Sequence, residues 1–190
     1  KVLVFALITI VVDESDEKAQ KKLEEYTTYI SNEGALTLLS GWTGFDFSRY
    51  QLSDSAKKIE FDINASSSFA NDLTHSDTER SIEDVAKWVG IGGPGPTFVG
   101  SPTTVADQLQ EWVEETDIDG FNISYVVAHE TFEDIVKYLV PELQKRGVYP
   151  TSYAEGTLRD KLFGYSKLPN DHPAARYRDI EKVKREEAKK

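Results

Sequence analysis

The chain opens on an apolar run, Val2-Leu3-Val4-Phe5-Ala6-Leu7-Ile8-Thr9-Ile10-Val11-Val12, with no strict alternation of apolar and polar positions. That pattern predicts a parallel strand covered on both faces. The run is short of the roughly 20 residues that cross a bilayer and lacks the small-residue cleavage site of a signal peptide. Ser15 then suits a helix N-cap, and Asp16 and Glu17 place carboxylates where the helix dipole favours them. Ala19, Leu23, Tyr26 and Ile30 recur at spacings of three and four, predicting one amphipathic helix to about Ile30. Ala35–Ser40 continues as a short apolar segment. Gly41–Tyr50, with four aromatics among two glycines, reads as a loop.

From Gln51 to Ser81 the chain is rich in Ser, Asp and Asn, with Phe61, Ile63, Phe69 and Leu73 as isolated anchors. A segment this long is expected to be a lid or binding insertion. Ser81–Trp88 reads as a short capped helix, and Gly90-Ile91-Gly92-Gly93-Pro94-Gly95-Pro96 as a breaker cluster. Thr97–Val99 is a very short strand, followed by a turn with Ser101 as N-cap and Pro102 at the first helical position. Val105, Leu109, Trp112 and Val113 give the ensuing helix its apolar face. Phe121–Val127 is a third strand, Thr131 is expected to cap a helix through Tyr138, and Pro141 starts another turn that ends at Arg146-Gly147. Beyond Tyr149 the chain reads as irregular, apart from a helical stretch around Asp179–Lys189. Strands alternating with helices imply an α/β fold with parallel pairing, and three strands are too few to close a barrel.

The formal net charge of -11 argues against a nucleic-acid partner, because phosphate-backbone binders present a basic face. The acidity is uneven: His172–Lys190 carries a net +3 and reads as a solvated charged tail. Absence of Cys excludes disulfides and thiolate metal sites and points to the cytoplasm. Met is absent too, and the start inside an apolar strand reads as a cut edge.

Several chemistries find no support. Gly92-Gly93-Pro94-Gly95 lacks the Lys-Ser/Thr ending of a P-loop, and no Gly-x-Ser-x-Gly elbow is present. His75, His129 and His172 are far apart with no second ligand at helical spacing, so no metal site is expected. Gly100-Ser101-Pro102 admits two readings, a plain helix cap or a helix N-terminus that holds a phosphate. His75 is either a surface histidine or, if the insertion folds over a barrel mouth, the acid/base or substrate-orienting group there.

Val99-Gly100-Ser101-Pro102-Thr103-Thr104-Val105-Ala106-Asp107-Gln108-Leu109, followed by Asp119-Gly120-Phe121-Asn122, resembles the paired G-[TS]-P-x-x-V-A-D-x-L and D-G-F-N motifs of luciferase-like flavin monooxygenases. Val140-Pro141-Glu142-Leu143-Gln144-Lys145-Arg146-Gly147 and Tyr153 with Thr157-Leu158-Arg159-Asp160-Lys161-Leu162 resemble patterns of the branch that includes nitrilotriacetate monooxygenase, pristinamycin synthase and dibenzothiophene-sulfone monooxygenase. Gly41-Trp42-Thr43-Gly44-Phe45-Asp46 is similar to a further segment of that branch. The resemblance implies that residues 1–165 are the C-terminal part, about strands six to eight, of a TIM (β/α)₈ barrel, with 51–81 as an insertion or lid and 166–190 as a charged tail.

It further implies an FMNH₂-dependent two-component monooxygenase that inserts one atom of O₂ into a small organic substrate through a flavin C4a-peroxide. The FMN would be reduced by a separate flavin reductase and held mainly by residues upstream, so this chain alone would be inactive. His75 would be the catalytic residue, Ser101 a cofactor contact, and Phe5, Leu7, Thr9 and Trp42 walls of the substrate pocket. The partners implied are the reductase, the substrate, O₂, and either a second copy of the chain or the upstream half; a membrane is not among them. The alternative is a non-catalytic ligand-binding or interaction module derived from the same barrel.

Overall fold

The computed structural model describes residues 2–59 and 78–188. It divides into two compact units, Lys1–Tyr149 and Pro150–Lys190. Among the described residues of the first unit, three parallel strands form one sheet: β1 (Phe5–Val12), β2 (Thr97–Gly100) and β3 (Gly120–Ser124). The order is β2-β1-β3. Strands wound in simple sequence order would put the second strand in the middle; here β1 holds that place. Its length allows this, because Phe5–Thr9 pair with β3 while Thr9–Val12 pair with β2, so the two neighbours share only Thr9.

Alternate residues of β1 enter the main core. Ile8, Ile10 and Val12 are buried with Phe98 of β2, with Val105, Ala106 and Leu109 of α4 (Pro102–Thr116), and with Ile135 and Leu139 further along. The opposite face of β1 is less evenly covered: Thr9 and Val11 are buried, whereas Phe5 and Leu7 are exposed. A second core lies between α2 (Asn32–Thr43) and α3 (Ile82–Gly90), where Leu39, Phe47, Ala56, Ile59, Ile82, Val85 and Val89 pack together. Ser55 and Ser81 form an antiparallel bridge there, reinforced by the Ala56 N–H to the Arg80 carbonyl at 2.8 Å and the Ile82 N–H to the Asp54 carbonyl at 2.9 Å. The two feet of the segment expected to be an insertion are thereby tied together.

Several elements differ from the sequence expectation for local reasons. The first helix, α1 (Asp16–Thr27), begins on Ser15 as expected but stops three residues short of Ile30. Tighter turns close it, with Thr28, Tyr29 and Ile30 donating to the carbonyls of Glu25, Tyr26 and Thr27. Ser31 then caps α2, its Oγ accepting from the Gly34 N–H at 3.0 Å. That helix takes in the supposed apolar segment and the start of the supposed loop. Its hydroxyl-bearing residues are tolerated because Thr37, Ser40 and Thr43 each donate to the carbonyl four residues back. Gly44, with φ of 70°, supplies the left-handed residue that ends it.

The segment after β3 also departs from expectation. Thr131 is not an N-cap; α5 (Glu130–Asp134) starts one residue earlier, and the Thr131 hydroxyl accepts from the N–H groups of Val126 and Val127, both at 3.2 Å. The helix does not break before Pro141. It widens into a π turn over Ile135–Leu139 and continues as α6 (Val140–Lys145). A wider turn accommodates the proline ring and the N–H it lacks. Arg146 then ties this end to α4, donating to Asp107 at 2.6 Å, to Gln110 at 2.7 Å and to the Thr103 carbonyl at 3.2 Å.

In the second unit, Thr157 and Asp160 form a reciprocal capping box at the start of α7 (Leu158–Phe163), in a stretch expected to be irregular. A 3₁₀ segment, Pro173–Arg178, precedes α8 (Ile180–Glu187), the helical stretch read from the tail.

One cation joins three parts of the first unit. Lys22 of α1 lies 3.1 Å from Asp13 at the end of β1 and 2.7 Å from Asp134 of α5. Burial draws the Asp13 carboxyl upward, but hydrogen bonds from Glu14 N–H and Lys22, with the lysine charge, hold it below its ordinary 3.8. A carboxylate depressed in the folded state stabilises the fold above its unfolded pKa, and that contribution disappears as pH falls through the folded value. Lys22→Ala is therefore expected to cost about 1–3 kcal/mol at neutral pH, between an exposed and a buried pair. It should also flatten the loss of stability below about pH 4, near the unfolded carboxylate value. Urea denaturation from pH 7 to pH 3 checks both; a variant with the native pH profile would deny Lys22 this role.

Candidate functional site

The polar and aromatic ends of several elements of the first unit converge on one cavity of about 710 Å³. Tyr26 and Tyr29 reach it from the end of α1, Leu38 and Trp42 from α2, and Tyr125 from the segment just after β3. The glycine turn after α3 forms the remaining wall, through Gly92 and Gly93. Among the described residues that line it, none is Asp, Glu, Lys, Arg or His. The volume lies within the range of small-molecule sites, about 300–1,000 Å³.

The glycine wall is held in place by three bonds. The Thr9 N–H donates to the Pro96 carbonyl at 2.9 Å, the Gly93 N–H to the Val89 carbonyl at 3.2 Å, and the Trp88 indole N–H to the Gly95 carbonyl at 3.1 Å. Gly92 has φ of 80° and sits directly on Thr9: a Cβ at this position would lie 2.2 Å from the threonine Oγ1. Only glycine satisfies both the left-handed backbone and the contact. Thr9 itself is fully buried, at 0% exposure, and its hydroxyl has no hydrogen-bond partner among the described residues. An unpaired hydroxyl one residue beneath a ligand-sized cavity is a stability cost in the folded chain.

Tyr26 contributes its ring to the cavity while its hydroxyl is buried. Burial and the nearby Glu130 charge push that hydroxyl up to about 12, so the ring stays neutral at ordinary pH.

The residues singled out from sequence fall in different places. Trp42 lines the cavity, 49% exposed, and Thr9 lies under its glycine wall. Phe5 and Leu7 occupy the exposed face of β1 and do not line it; a Cβ on Gly120 or Gly95 would meet the Phe5 ring or the Leu7 carbonyl. Ser101 caps α4 through its Oγ, which accepts from the Thr104 N–H at 3.3 Å, while its own N–H donates to Asp16 Oδ1 at 2.6 Å. A phosphate approaching that N–H would have to displace the Asp16 carboxylate. His75 lies outside the described residues, as do the anchors Phe61, Ile63, Phe69 and Leu73. Sequence reasoning missed Tyr29, Leu38, Gly92 and Gly93 as a wall. The available signal was Tyr26 and Tyr29 three apart at a helix end facing a doublet of glycines.

Among the described residues no group of three or more His, Asp or Glu side chains is placed to hold a metal ion, and no helix is long and apolar enough to cross a membrane.

Replacing Thr9 by Val, which keeps the shape and removes the orphaned hydroxyl, is expected to raise stability by about 1 kcal/mol. Gly92→Ala should lower it by about 2 kcal/mol or more through backbone strain and the clash with Thr9. Chemical denaturation of the two variants measures both; a destabilised Thr9→Val would mean that the hydroxyl is satisfied.

No family model matches the chain. It is 41% identical over 180 residues to dimethyl-sulfide monooxygenase of Hyphomicrobium sulfonivorans, an alignment that covers 93% of this chain and 37% of that protein. The crystal structure of DmoA from the same organism matches it with a TM-score of 0.80 at 40% identity, over 93% of this chain and 38% of that one. Long-chain alkane monooxygenase of Geobacillus thermodenitrificans is 40% identical over 178 residues, covering 93% of this chain and 36% of its own length. A crystal structure of a riboflavin lyase with modified FMN and riboflavin follows at a TM-score of 0.73 and 28% identity, over 93% of this chain and 39% of that chain. The chain thus spans a little over a third of the curated relatives it matches. Its parallel strands and covering helices correspond to part of the TIM barrel of these enzymes. With likeness in sequence and in fold running over nine-tenths of its residues, the chain belongs to the luciferase-like flavin monooxygenases.

Proposed function

We propose that this chain forms part of an FMN-dependent two-component monooxygenase that places one atom of O₂ on a small organic substrate, with reduced flavin delivered by a separate reductase. The observation that carries this reading is the cavity walled by aromatic rings and glycine backbone, in a chain 40% identical or more to two monooxygenases. Flat faces at Trp42, Tyr26 and Tyr29 suit an organic ring or a small apolar molecule.

The described residues fit the ring or substrate part of such a complex better than its phosphate. The helix N-terminus at Ser101 already carries the Asp16 carboxylate, whereas the buried Thr9 hydroxyl lies unpaired behind the glycine wall. Reduced FMN, when bound, supplies the oxygen-activating chemistry. The work left to this chain is to exclude water, hold the substrate and keep its wall uncharged. Trp42 orients an apolar group by its indole face, and Gly93, where a Cβ would reach toward the Trp42 ring, leaves that side of the cavity open.

The test is kinetic. In the full-length protein supplied with FMN, a flavin reductase, NADH and O₂, Trp42→Ala is expected to lower kcat/KM about tenfold or more, equivalent to about 1.4 kcal/mol of lost transition-state binding. Its melting temperature should change little, since Trp42 is half exposed. Absence of oxygenated product from every neutral or charged organic substrate tried would favour a non-catalytic ligand-binding module instead.

A further inference from the structure

We infer that Trp88 is a positioning residue for the cavity, fixing the glycine turn that walls it, and that Arg80, at the foot of the inserted segment, acts through Trp88. The inference deepens the proposed monooxygenase reading and rests on it for the use made of the cavity. Neither Trp88 nor Arg80 is among the described residues that line the cavity, so their influence on it is indirect.

The first observation is that one residue holds both ends of the turn. On α3 the Trp88 carbonyl accepts from the Ile91 N–H at 3.3 Å, where the turn begins. The Trp88 indole N–H donates to the Gly95 carbonyl at 3.1 Å, just before β2. Between those two points stand Gly92 and Gly93, both on the wall and both with positive φ, 80° and 108°. Glycine has little conformational preference of its own, so the path of this turn depends on the bonds that close it. Strand β1 backs the same turn, since a Cβ on Gly92 would meet Thr9 and one on Gly95 the Leu7 carbonyl. A turn released from Trp88 therefore shifts toward the cavity, where the Trp42 ring lies 3.8 Å from the place of a Gly93 Cβ.

The second observation is what lies over the Trp88 ring. The Arg80 guanidinium is 5.3 Å from the ring centroid, a cation–π distance. The Arg80 carbonyl accepts from the Ala56 N–H, next to the bridge between Ser55 and Ser81. A continuous set of contacts thus runs from the two clasped feet, through guanidinium and indole, to the glycine wall. The Arg80 charge reaches one further group on this helix, the Asp84 carboxyl, which the Ser81 hydroxyl and N–H hold below its ordinary range. Any effect of Arg80 on the wall has to be separated from that one.

The experiment uses the full-length protein with FMN, labelled with fluorotryptophan, the Trp42 signal being assigned by its loss in Trp42→Phe. Trp88→Phe keeps the ring and removes the N–H donor. It is expected to speed hydrogen exchange at the Ile91 and Gly93 amides about fivefold, the effect of one hydrogen bond, with α4 amides at native rates. It should also move the Trp42 fluorine signal. Arg80→Met should speed the same exchange about twofold, as loss of a partly exposed cation–π contact does, and Arg80→Lys should restore it. In a Trp88→Leu background Arg80→Met should add nothing, because the ring through which it acts is gone. With thioanisole, a flavin reductase, NADH and O₂, Trp88→Phe should raise KM and leave kcat within about twofold. Native exchange at Ile91 and Gly93, or an unmoved Trp42 signal, in Trp88→Phe overturns the inference, as does equal acceleration in α4, which marks a general loss of stability. An undiminished effect of Arg80→Met in Trp88→Leu overturns the part assigned to Arg80. Absence of thioanisole turnover by the native protein counts against the monooxygenase reading, while exchange and the fluorine signal decide the inference by themselves.

Discussion

The pairing of β1 on both of its edges is the constraint on which the first unit depends. Eight residues must present one set of backbone groups to β3 and another to β2, and the two sets meet at Thr9. The same strand sends Ile8, Ile10 and Val12 into the core and ends at Asp13, where Lys22 binds. Sheet, core and ion network are therefore not independent: a shift of β1 by one residue would swap the side chains that fill the main core for those of its other face and also unseat the carboxylate. Thr9, at the centre of this arrangement, is the residue pressed against the glycine turn that forms the cavity wall. The core and the cavity are two sides of one strand.

Much of the fold was legible because its signals are local. Ser15, Ser81 and Ser101 all cap helices where their spacing to following residues says they should. The apolar run of β1 and the pair of short strands were equally plain. α2 was harder to read, because Gly34, Thr37, Ser40 and Gly41 weaken the helical pattern, and the rescue comes from hydroxyls bonding to backbone carbonyls within the helix. Pro141 signalled a break that the π turn absorbs. The capping box of Thr157 and Asp160 was present in the sequence but had no long apolar stripe behind it to draw attention.

The cavity was legible only in part. Trp42 stood out as an aromatic in a glycine-rich segment, but the wall opposite it is backbone, and backbone exposure has no side-chain signature. Gly92 and Gly93 looked like any turn until the contact of Gly92 with Thr9 and the place of both on the cavity were known. Ser101 shows the converse. Its motif suggested an anion site, and the anion found there is the chain's own Asp16, eighty-five positions away in sequence and invisible to any local pattern.

The bridge between Ser55 and Ser81 has an evolutionary consequence. A segment whose two ends are clasped to each other closes its loop at the base, and loop closure grows costlier by only about 0.6 kcal/mol for each doubling of length. Residues can be gained or lost between the clasp points with little penalty to the sheet that carries them. The clasp thus separates the length of chain between Ser55 and Ser81 from the integrity of the strands and helices on either side, which descendants can inherit unchanged.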